Sequence, residues 1–391
     1  MITPVMPTYA RTTHEFAYGE GAWLVDAEGR RHLDFGAGIA VNCLGHANPK
    51  LIAALTEQAG KLWHTSNLYP IAKQEQLAER LSELTFADTM FFTNSGAEAM
   101  EFAFKAARKY QSHVGAPERV EIITFEGCFH GRTIAGISAS KAPKMVDGFG
   151  PLVPGFVQVP YGDVEALRAA VSDKTAAIAV EPVLGEGGIL PAPDGFMAAI
   201  RELCDENGAL MICDEIQCGV GRTGRLFAYE WSDVTPDIMA IAKGIGGGFP
   251  IGACLTTERA ASGMVAGTHG STYGGNPLGA AVALAVLEEV ATDDFLATVR
   301  QRAGYLSQKL GGLVDAHPEV LEGVRGEGLM MGIKCKAPNM DLVNAAYAED
   351  LLTVPAADNI VRILPPLNVT EAELDEAVAR LDRACTRVEA P

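Results

Sequence analysis

Lys243 lies where a lysine can carry out covalent chemistry. It follows a short apolar run, residues 238–242, and precedes a glycine-rich loop, residues 244–248. A short apolar run bounded by glycines is typical of a buried parallel strand, and α/β folds bind ligands beyond the carboxyl ends of such strands. Burial disfavours the charged ammonium, and a neutral amine attacks aldehydes to form Schiff bases. An isolated lysine there would more often simply extend to solvent.

Three further apolar runs also lead into groups that could do chemistry. Each carboxylate taken alone could cap the helix that follows it. Four strands that all deliver ionisable or aromatic groups at their carboxyl ends instead predict one crevice built from several loops. The three runs are residues 120–125 before Phe129 and Arg132, residues 176–180 before Glu181 and Glu186, and residues 209–213 before Asp214.

A phosphate-binding segment is predicted at residues 93–99. Ser95, Gly96 and Ala97 precede a helix that is predicted to run to about residue 110. A glycine lets a ligand approach the backbone, and the first helical turn offers free N–H groups at the positive end of the helix dipole. Ser95 and Glu98 could instead form a capping box that satisfies the same donors. The sequence leaves both readings open.

Asp214 offers a negative charge to a ligand group that becomes cationic. A pyridinium nitrogen is such a group, and an aspartate beside a Schiff-base lysine is what proteins contribute to pyridoxal phosphate chemistry. Two unit charges 4 Å apart attract by about 4 kcal/mol at an effective dielectric constant near 20. Gln217 could hydrogen-bond the ring hydroxyl. Phe129 and Ile216 could cover the two ring faces, or could belong to the core.

Several other motifs are absent or fail in their context. Residues 219–224 match GxGxxG by letters, but they neither follow a strand immediately nor open a helix, so a dinucleotide site is not predicted. No Walker A, GxSxG or HExxH motif occurs. The eight cysteines show no CxxC pairing and no Cys/His spacing typical of zinc. We therefore predict no metal site, and reduced thiols in a cytoplasmic protein.

Size and charge narrow the class of protein. A chain of 391 residues predicts roughly two domains, and 48% hydrophobic with 20% charged residues is ordinary for a globular protein. The net charge of −18 argues against nucleic acid or anionic membrane as a partner. Neither a secretory signal at residues 1–16 nor a long apolar span is evident.

The order of predicted elements indicates an α/β protein with two parts. Alternating helices and strands over residues 49–276 predict a large domain with a mostly parallel sheet. Residues 277–391 predict a smaller α+β domain, in which Thr370 and Glu373 form a capping box that opens the last helix. The short strands of residues 1–48 are expected to pack beside this smaller domain.

The sequence resembles class-III, pyridoxal-phosphate-dependent ω-aminotransferases, and within them the acetylornithine aminotransferases. The likeness covers essentially the whole chain, with the motifs in the same order and spacing. It implies a fold-type-I homodimer with active sites at the subunit interface. The class resemblance rests on residues 214–217, 242–252 and 270–277, and the subgroup resemblance on residues 37–42, 45–46, 129–133 and 362–367.

The resemblance implies how the cofactor, pyridoxal 5'-phosphate, is held. Lys243 would form the covalent link and later act as the general acid and base, and Asp214 would hold the pyridine nitrogen. The phosphate would be bound by Ser95, Gly96 and Ala97 of one subunit and by Thr272 of the other. Ser271, next to Thr272, is assigned to the substrate pocket.

The resemblance also implies how two different substrates share one pocket. Arg132 would grip a substrate carboxylate, and Arg362 would take the α-carboxylate of glutamate, with Glu186 pairing with Arg362 when that carboxylate is absent. The implied reaction moves the δ-amino group of N2-acetylornithine to 2-oxoglutarate, a step of arginine biosynthesis. The small-molecule partners would then be acylated ornithine, 2-oxoglutarate and glutamate.

Two residues bear on the amine substrate. Enzymes that act on free ornithine usually carry a tyrosine where this chain has Ile39, whose apolar side chain suits an acylated α-nitrogen. Tyr9 falls where those enzymes have a tyrosine near the α-carboxylate. Succinylornithine, succinyl-diaminopimelate, ornithine and 4-aminobutyrate remain alternative substrates. A non-catalytic binding protein of the same fold is the alternative from another class.

Overall fold

The structure, a computed structural model, describes residues 4–12 and 14–388. Within these residues the chain forms four sheets and thirteen α-helices. The strands are β1 (Phe16–Glu20), β2 (Trp23–Asp26), β3 (Arg31–Asp34), β4 (Thr89–Thr93), β5 (Glu121–Phe125), β6 (Phe156–Val159), β7 (Thr175–Val180), β8 (Val183–Leu184), β9 (Leu190–Pro191), β10 (Leu210–Asp214), β11 (Ile238–Ile241), β12 (Gly252–Thr256), β13 (Leu321–Glu327), β14 (Met330–Cys335), β15 (Leu351–Leu352), β16 (Val354–Ala356) and β17 (Ile360–Ile363). The helices are α1 (Ala37–Ala40), α2 (Pro49–Ala59), α3 (Ala72–Leu84), α4 (Gly96–His113), α5 (Ile134–Ser140), α6 (Pro143–Val146), α7 (Val164–Ala170), α8 (Phe196–Asn207), α9 (Glu258–Ala261), α10 (Pro277–Val290), α11 (Asp293–Ala316), α12 (Asn339–Ala348) and α13 (Glu371–Arg387).

A seven-stranded sheet organises the large domain. Its strand order is β4-β12-β11-β10-β7-β5-β6, and β12 alone runs antiparallel to its neighbours. Successive side chains of a strand point to opposite faces, so the central strand β10 supplies two cores. Ile212 packs in the cluster that includes the apolar face of α4, whereas Met211 and Cys213 belong to the cluster that includes α8. The predicted mostly parallel α/β architecture is confirmed.

The carboxyl ends of neighbouring parallel strands meet at one edge of this sheet. Asp214 is the last residue of β10, Glu181 follows β7 directly, and Lys243 comes two residues after β11. The loop after β5 carries residues 126–133 to the same edge. Each apolar run is therefore a buried strand that places the polar group after it at this edge.

The C-terminal part builds a second, antiparallel sheet in the order β13-β14-β17-β16, on which α11 and α12 pack. Its last helix, α13, opens with the predicted capping box of Thr370 and Glu373. The N-terminal strands form a third sheet, β1-β2-β3-β15, in which β3 pairs in parallel with β15 of the C-terminal part. The boundaries at residues 48 and 276 stay a prediction.

Among the helices described, none combines the length and the apolar character that crossing a bilayer requires. The GxGxxG-like segment, residues 219–224, forms turns and no helix. Its buried Arg222 donates from Nη1 to the backbone oxygens of Leu329 and Pro365. This arginine therefore ties the loop to the C-terminal part.

Candidate active site

A cleft of about 430 Å³ opens at the carboxyl edge of the large sheet. Most of the predicted cofactor residues line it, together with Arg132. Glu181, predicted at the end of its strand, lines it too, as do Val41, Asn94 and Phe249, which were not predicted as site residues. The predicted lining residues are Ser95, Gly96, Ala97, Phe129, Arg132, Asp214, Ile216, Gln217 and Lys243.

Lys243 enters the cleft from a strained backbone position. Its φ is +47°, a left-handed conformation that costs a non-glycine residue on the order of 1–3 kcal/mol, and it begins a 3-10 turn that ends at Gly246. Burial lowers the pKa of its ammonium below the usual value, although the nearby Glu186 carboxylate acts in the opposite direction. The amine is thus more readily deprotonated than a surface lysine.

Asp214 is held by a buried histidine. The side chain of Asp214 is 3% exposed; its Oδ2 lies 2.8 Å from Nδ1 of His130, and its Oδ1 accepts from the N–H of Ile216 at 3.1 Å. Burial lowers the pKa of His130, but Cys128 and the hydrogen bond to Asp214 outweigh it and raise that pKa well above 6.5. The contact with His130 therefore fixes the Asp214 carboxyl group at the base of the cleft.

His130 was predicted only as part of a motif and without a role of its own. The signal that could have found it is its position in the loop after β5, which opens to the same edge as Asp214. The two residues are 84 positions apart, so no local sequence pattern predicts their contact.

Glu181 connects two loops that border the cleft. Its Oε1 accepts from the N–H of Phe129 at 2.7 Å, and its Oε2 accepts from the N–H of Gly185 at 3.0 Å. Burial, reinforced by the charge of Asp214, raises the pKa of Glu181 to about 7. One buried side chain therefore holds both the loop that bears Arg132 and the loop that bears Glu186.

The N-terminus of α4 is only partly capped by its own side chains. Ser95 Oγ accepts from the N–H of Glu98 at 3.3 Å, but the Glu98 carboxylate accepts from the backbone and side chain of Asn94 and not from Ser95. Within the described residues, the N–H groups of Gly96 and Ala97 have no acceptor. These two donors face the cleft edge at the positive end of a helix of 18 residues, which is an anion site.

Gly96 also leaves space that a larger residue would fill. A Cβ atom at this position would lie 2.8 Å from Cδ1 of Ile216. The close approach brings the Ile216 side chain over the start of α4, so Ile216 forms one wall of the cleft. Phe129, which is half-buried, is another lining residue.

Arg362 and Glu186 form an ion pair next to the cleft. Arg362, on β17, is 2% exposed, and its Nη1 donates to Glu186 Oε1 at 2.6 Å while Glu186 is 36% exposed. The same Nη1 lies 3.4 Å from Oε1 of the cleft residue Gln217, and Nη2 donates to the Pro355 backbone oxygen. Gln217 therefore turns its oxygen towards Arg362.

Arg132 differs from Arg362 in having no fixed partner charge. It is exposed, with its guanidinium 5.4 Å from the centroid of the Phe129 ring. No ion pair links it to a carboxylate in the part of the chain that the structure describes. It is therefore available to an incoming anionic ligand.

Besides Arg362 and Glu186, four predicted residues are not among those that line the cleft. Tyr9 and Ile39 are exposed and are not among its lining residues. Ser271 and Thr272 line a separate cavity of about 790 Å³. Ser271 Oγ lies 3.3 Å from Nδ2 of Asn94, so this cavity adjoins the cleft. The roles of all four stay predictions.

The donor set suits pyridoxal phosphate. The cleft presents an amine whose pKa is lowered by burial, a buried carboxylate for a ring nitrogen, and unpaired N–H groups for a phosphate. Apolar side chains wall the space between them. These groups would hold the aldehyde, the ring and the phosphate of the cofactor in that order.

The chain is similar to known proteins over nearly its whole length. The family model of class-III aminotransferases matches residues 8–385. A relative from Rhodobacter capsulatus, named acetylornithine aminotransferase, is 61% identical over 389 residues, which cover 100% of this chain and 99% of the relative.

Two crystal structures superpose on nearly the whole chain. N-acetylornithine aminotransferase from Stenotrophomonas maltophilia is 39% identical, with a TM-score of 0.86 and 97% of each chain covered. Ornithine aminotransferase from Toxoplasma gondii, described with partial occupancy of PLP at its active site, is 32% identical with a TM-score of 0.93, covering 98% of this chain and 92% of that one. The predicted fold type is confirmed, and the chain belongs to the class-III aminotransferases.

Proposed function

We propose that this protein is a pyridoxal-phosphate-dependent aminotransferase that moves the δ-amino group of N2-acetylornithine to 2-oxoglutarate. The products are N-acetylglutamate 5-semialdehyde and glutamate. The observation that carries the proposal is the ion pair of the buried Arg362 with the partly exposed Glu186, beside the cleft that contains Lys243 and Asp214. The names of the relatives from R. capsulatus and S. maltophilia support the choice of amine.

When bound, pyridoxal phosphate supplies an aldehyde that takes up an amino group and a ring that withdraws electrons from the neighbouring carbon. Asp214, charged and fixed by His130, would hold the ring nitrogen. The N–H groups of Gly96 and Ala97 would bind the phosphate. Phe129 and Ile216 would exclude water from the ring.

Lys243 would anchor the aldehyde and then move a proton. Nζ of Lys243 is an amine whose pKa burial lowers. When not engaged with the cofactor, it could accept the proton of the substrate carbon and donate it again, because a lowered pKa makes the neutral, basic form more available.

The two arginines account for the different charges of the two substrates. N2-acetylornithine has one carboxylate, which Arg132 would hold while Glu186 neutralises Arg362. 2-Oxoglutarate has two, so its second carboxylate would replace Glu186 on Arg362. Arg362 stays fixed by its bond to the Pro355 oxygen, whereas the partly exposed Glu186 can turn to solvent. A guanidinium suits this exchange because it binds carboxylates with two parallel hydrogen bonds.

A panel of half-reactions tests the proposal. The holoenzyme is mixed with N2-acetylornithine, N2-succinylornithine, succinyl-diaminopimelate, ornithine or 4-aminobutyrate, and the cofactor absorbance is followed. We expect N2-acetylornithine to react with the highest kcat/KM and the Lys243→Ala variant to be inactive. A preference for free ornithine would contradict the argument from Ile39. Absence of reaction with every amine would favour a binding protein of the same fold.

We further propose a cytoplasmic homodimer with shared active sites that serves arginine biosynthesis. Thr272, which is exposed on a cavity that adjoins the cleft through Ser271 and Asn94, would complete a neighbouring subunit's site. The eight cysteines are all free and buried, which suits a reducing compartment.

A further inference from the structure

A second cluster of ligating side chains lies on the N-terminal sheet and outside the cleft. Asp26 is the last residue of β2, His32 is in β3, and His14 precedes β1. One ligand atom of each residue lies within 4.8 Å of the corresponding atoms of the other two. None of the three is a lining residue of the cleft.

Asp26 is rigidly oriented towards His32. Its Oδ1 accepts from the N–H groups of Glu28 at 3.1 Å and Arg30 at 2.8 Å. This turn leaves Oδ2 directed at Nε2 of His32, 3.1 Å away, and both side chains are buried. One carboxylate oxygen and one imidazole nitrogen are thus preorganised side by side.

The other nitrogen of His32 faces a second carboxylate. Nδ1 lies 3.5 Å from Oδ1 of Asp350, and within the described residues it has no hydrogen-bond partner although the side chain is 1% exposed. A neutral imidazole has one proton, so one of its nitrogens must present a lone pair to a carboxylate. A metal ion on Nε2 removes this conflict because Asp26 becomes a second ligand and Nδ1–H points at Asp350. Histidine ligands usually donate their second N–H to a carboxylate in this way.

The third ligand would be His14, which lies on the solvent side of the cluster. It is exposed, and its ring packs edge-on against the rings of His32 and Tyr347, with centroids 5.6 and 4.9 Å away. Tetrahedral Zn²⁺ with bonds near 2.1 Å places its ligand atoms about 3.4 Å apart. His14 lies outside regular secondary structure, so it can move the remaining distance.

We propose that His14, Asp26 and His32 bind one divalent transition-metal ion, with Zn²⁺ as the best match to two imidazoles and one carboxylate. Asp350 would orient His32 without touching the metal. The ion would fasten the segment before β1 to the β2–β3 hairpin. No closely spaced ligand motif marks this site in the sequence, because its three ligands come from three separate segments.

The test is Zn²⁺ binding by metal-stripped holoenzyme, measured by calorimetry and by competition with a chromophoric chelator. We expect one Zn²⁺ per chain, a rise in Tm with Zn²⁺, and at least tenfold weaker binding in His14→Gln. His14 is exposed, so this variant should fold as the wild type does. His113→Gln, at another exposed histidine at the end of α4, is the matched control and should bind as the wild type.

Two results would overturn the proposal. Absence of Zn²⁺ binding by the wild type would mean that His14, Asp26 and His32 do not form a metal site. Equal binding by the wild type and His14→Gln would mean that Zn²⁺ binds elsewhere. Because none of these readouts is turnover, they are independent of the proposed transaminase activity.

Discussion

Burial favours the neutral forms of Lys243 and Glu181 in the cleft, and of Glu215, which follows Asp214 in the chain but does not line the cleft. The pKa of Lys243 is lowered, and the pKa values of Glu181 and Glu215 are both raised to about 7. Desolvation penalises whichever form is charged, so it acts oppositely on the pKa of an amine and of an acid. Glu215 accepts from the N–H groups of Ala228 and Tyr229, which shows that a buried acid here can also be purely structural.

Glu181→Gln should change the pH dependence of stability. The pKa of Glu181 is about 7 in the folded protein and near 4.5 unfolded, so the folded state holds the extra proton between these values. Its contribution to stability is present below pH 4.5 and is lost as pH rises through 7. Glutamine loses one acceptor, at a cost of about 1–3 kcal/mol, but cannot ionise. We expect the deficit of the variant, measured as Tm, to be larger at pH 5.5 than at pH 8.

The control for this comparison is Glu322→Gln, at an exposed residue of β13. Its difference from the wild type should be the same at both pH values. A Glu181→Gln deficit that does not change with pH would contradict the assigned protonation of Glu181.

Arg362→Ala should separate the two half-reactions. Hydrogen bonds between charged groups are worth about 1.5–3 kcal/mol, so kcat/KM for glutamate should fall about 10- to 100-fold or more. The value for N2-acetylornithine should change much less, because Arg362 is then occupied by Glu186. Single-turnover rates with each amine measure the difference.

A suitable control is Arg383→Ala, which removes an arginine that is paired with Glu349 on the surface of α13. It should leave both half-reactions unchanged. Equal losses in both half-reactions of Arg362→Ala would rule out the exchange of Glu186 for a substrate carboxylate.

A site residue could be predicted where a single apolar run, read as a strand, leads to it along the sequence. Lys243, Asp214 and Glu186 could be located because apolar runs announce where strands end. The contacts between residues from different loops could not. Arg362 and Gln217 are 145 positions apart, and their contact depends on how the C-terminal sheet packs against the large domain.

At the scale of elements, the start of α4 combines capping with binding. Ser95 satisfies one donor of the first turn, while Gly96 and Ala97 keep theirs free. A full capping box would also have the Glu98 carboxylate accept from the Ser95 N–H, whereas here it accepts from Asn94. Neither arrangement uses the N–H groups of Gly96 and Ala97, so both stay open to an anion.

Ser95→Ala should therefore weaken both the helix and the binding of the cofactor. Loss of a serine or threonine cap costs about 0.5–2 kcal/mol. Thr292→Ala is the matched control, because Thr292 caps α11 with the same 3.3 Å distance to the N–H of Phe295. Both variants should lose similar stability in thermal unfolding of the apoprotein.

Only Ser95→Ala should also raise the Kd for pyridoxal phosphate, by several-fold in a fluorescence titration. An unchanged Kd in Ser95→Ala would show that this end of α4 does not bind the phosphate.

Helices and strands were largely predictable, because long periodic segments indicate helices and short apolar runs indicate buried strands. The direction of each strand in the sheet was harder to predict. β12 runs antiparallel to β11, because residues 242–251 join the two strands without the crossover helix that parallel strands require. The same reversal places the loop of residues 242–251 over the cleft, where Phe249 and Pro250 become lining residues.

At the scale of the whole molecule, the face around Leu68 exposes apolar side chains. Leu68 is 87% exposed, and Tyr69 and Tyr273 are exposed as well. Asn67 donates from Nδ2 to the backbone oxygens of Ser271 and Gly274, so this face is continuous with the cavity that Thr272 lines. An exposed apolar patch beside an incomplete site suits a subunit interface.

Leu68→Lys should weaken the proposed dimer, because a charge would be buried at the interface. Sedimentation equilibrium should detect at least a tenfold higher dissociation constant than for the wild type. Met340→Lys, at an exposed apolar residue of α12, is the control and should sediment as the wild type. A wild-type monomer at micromolar concentration would contradict the shared active site.

The thiols of this protein have a practical consequence. All eight cysteines are buried, and burial raises the pKa of Cys43 and Cys204 to about 12. Alkylating reagents attack the thiolate, so the native protein should take up little maleimide dye. A single Met340→Cys substitution would then label at one place, and fluorescence could follow the exchange of chains without removal of any native cysteine.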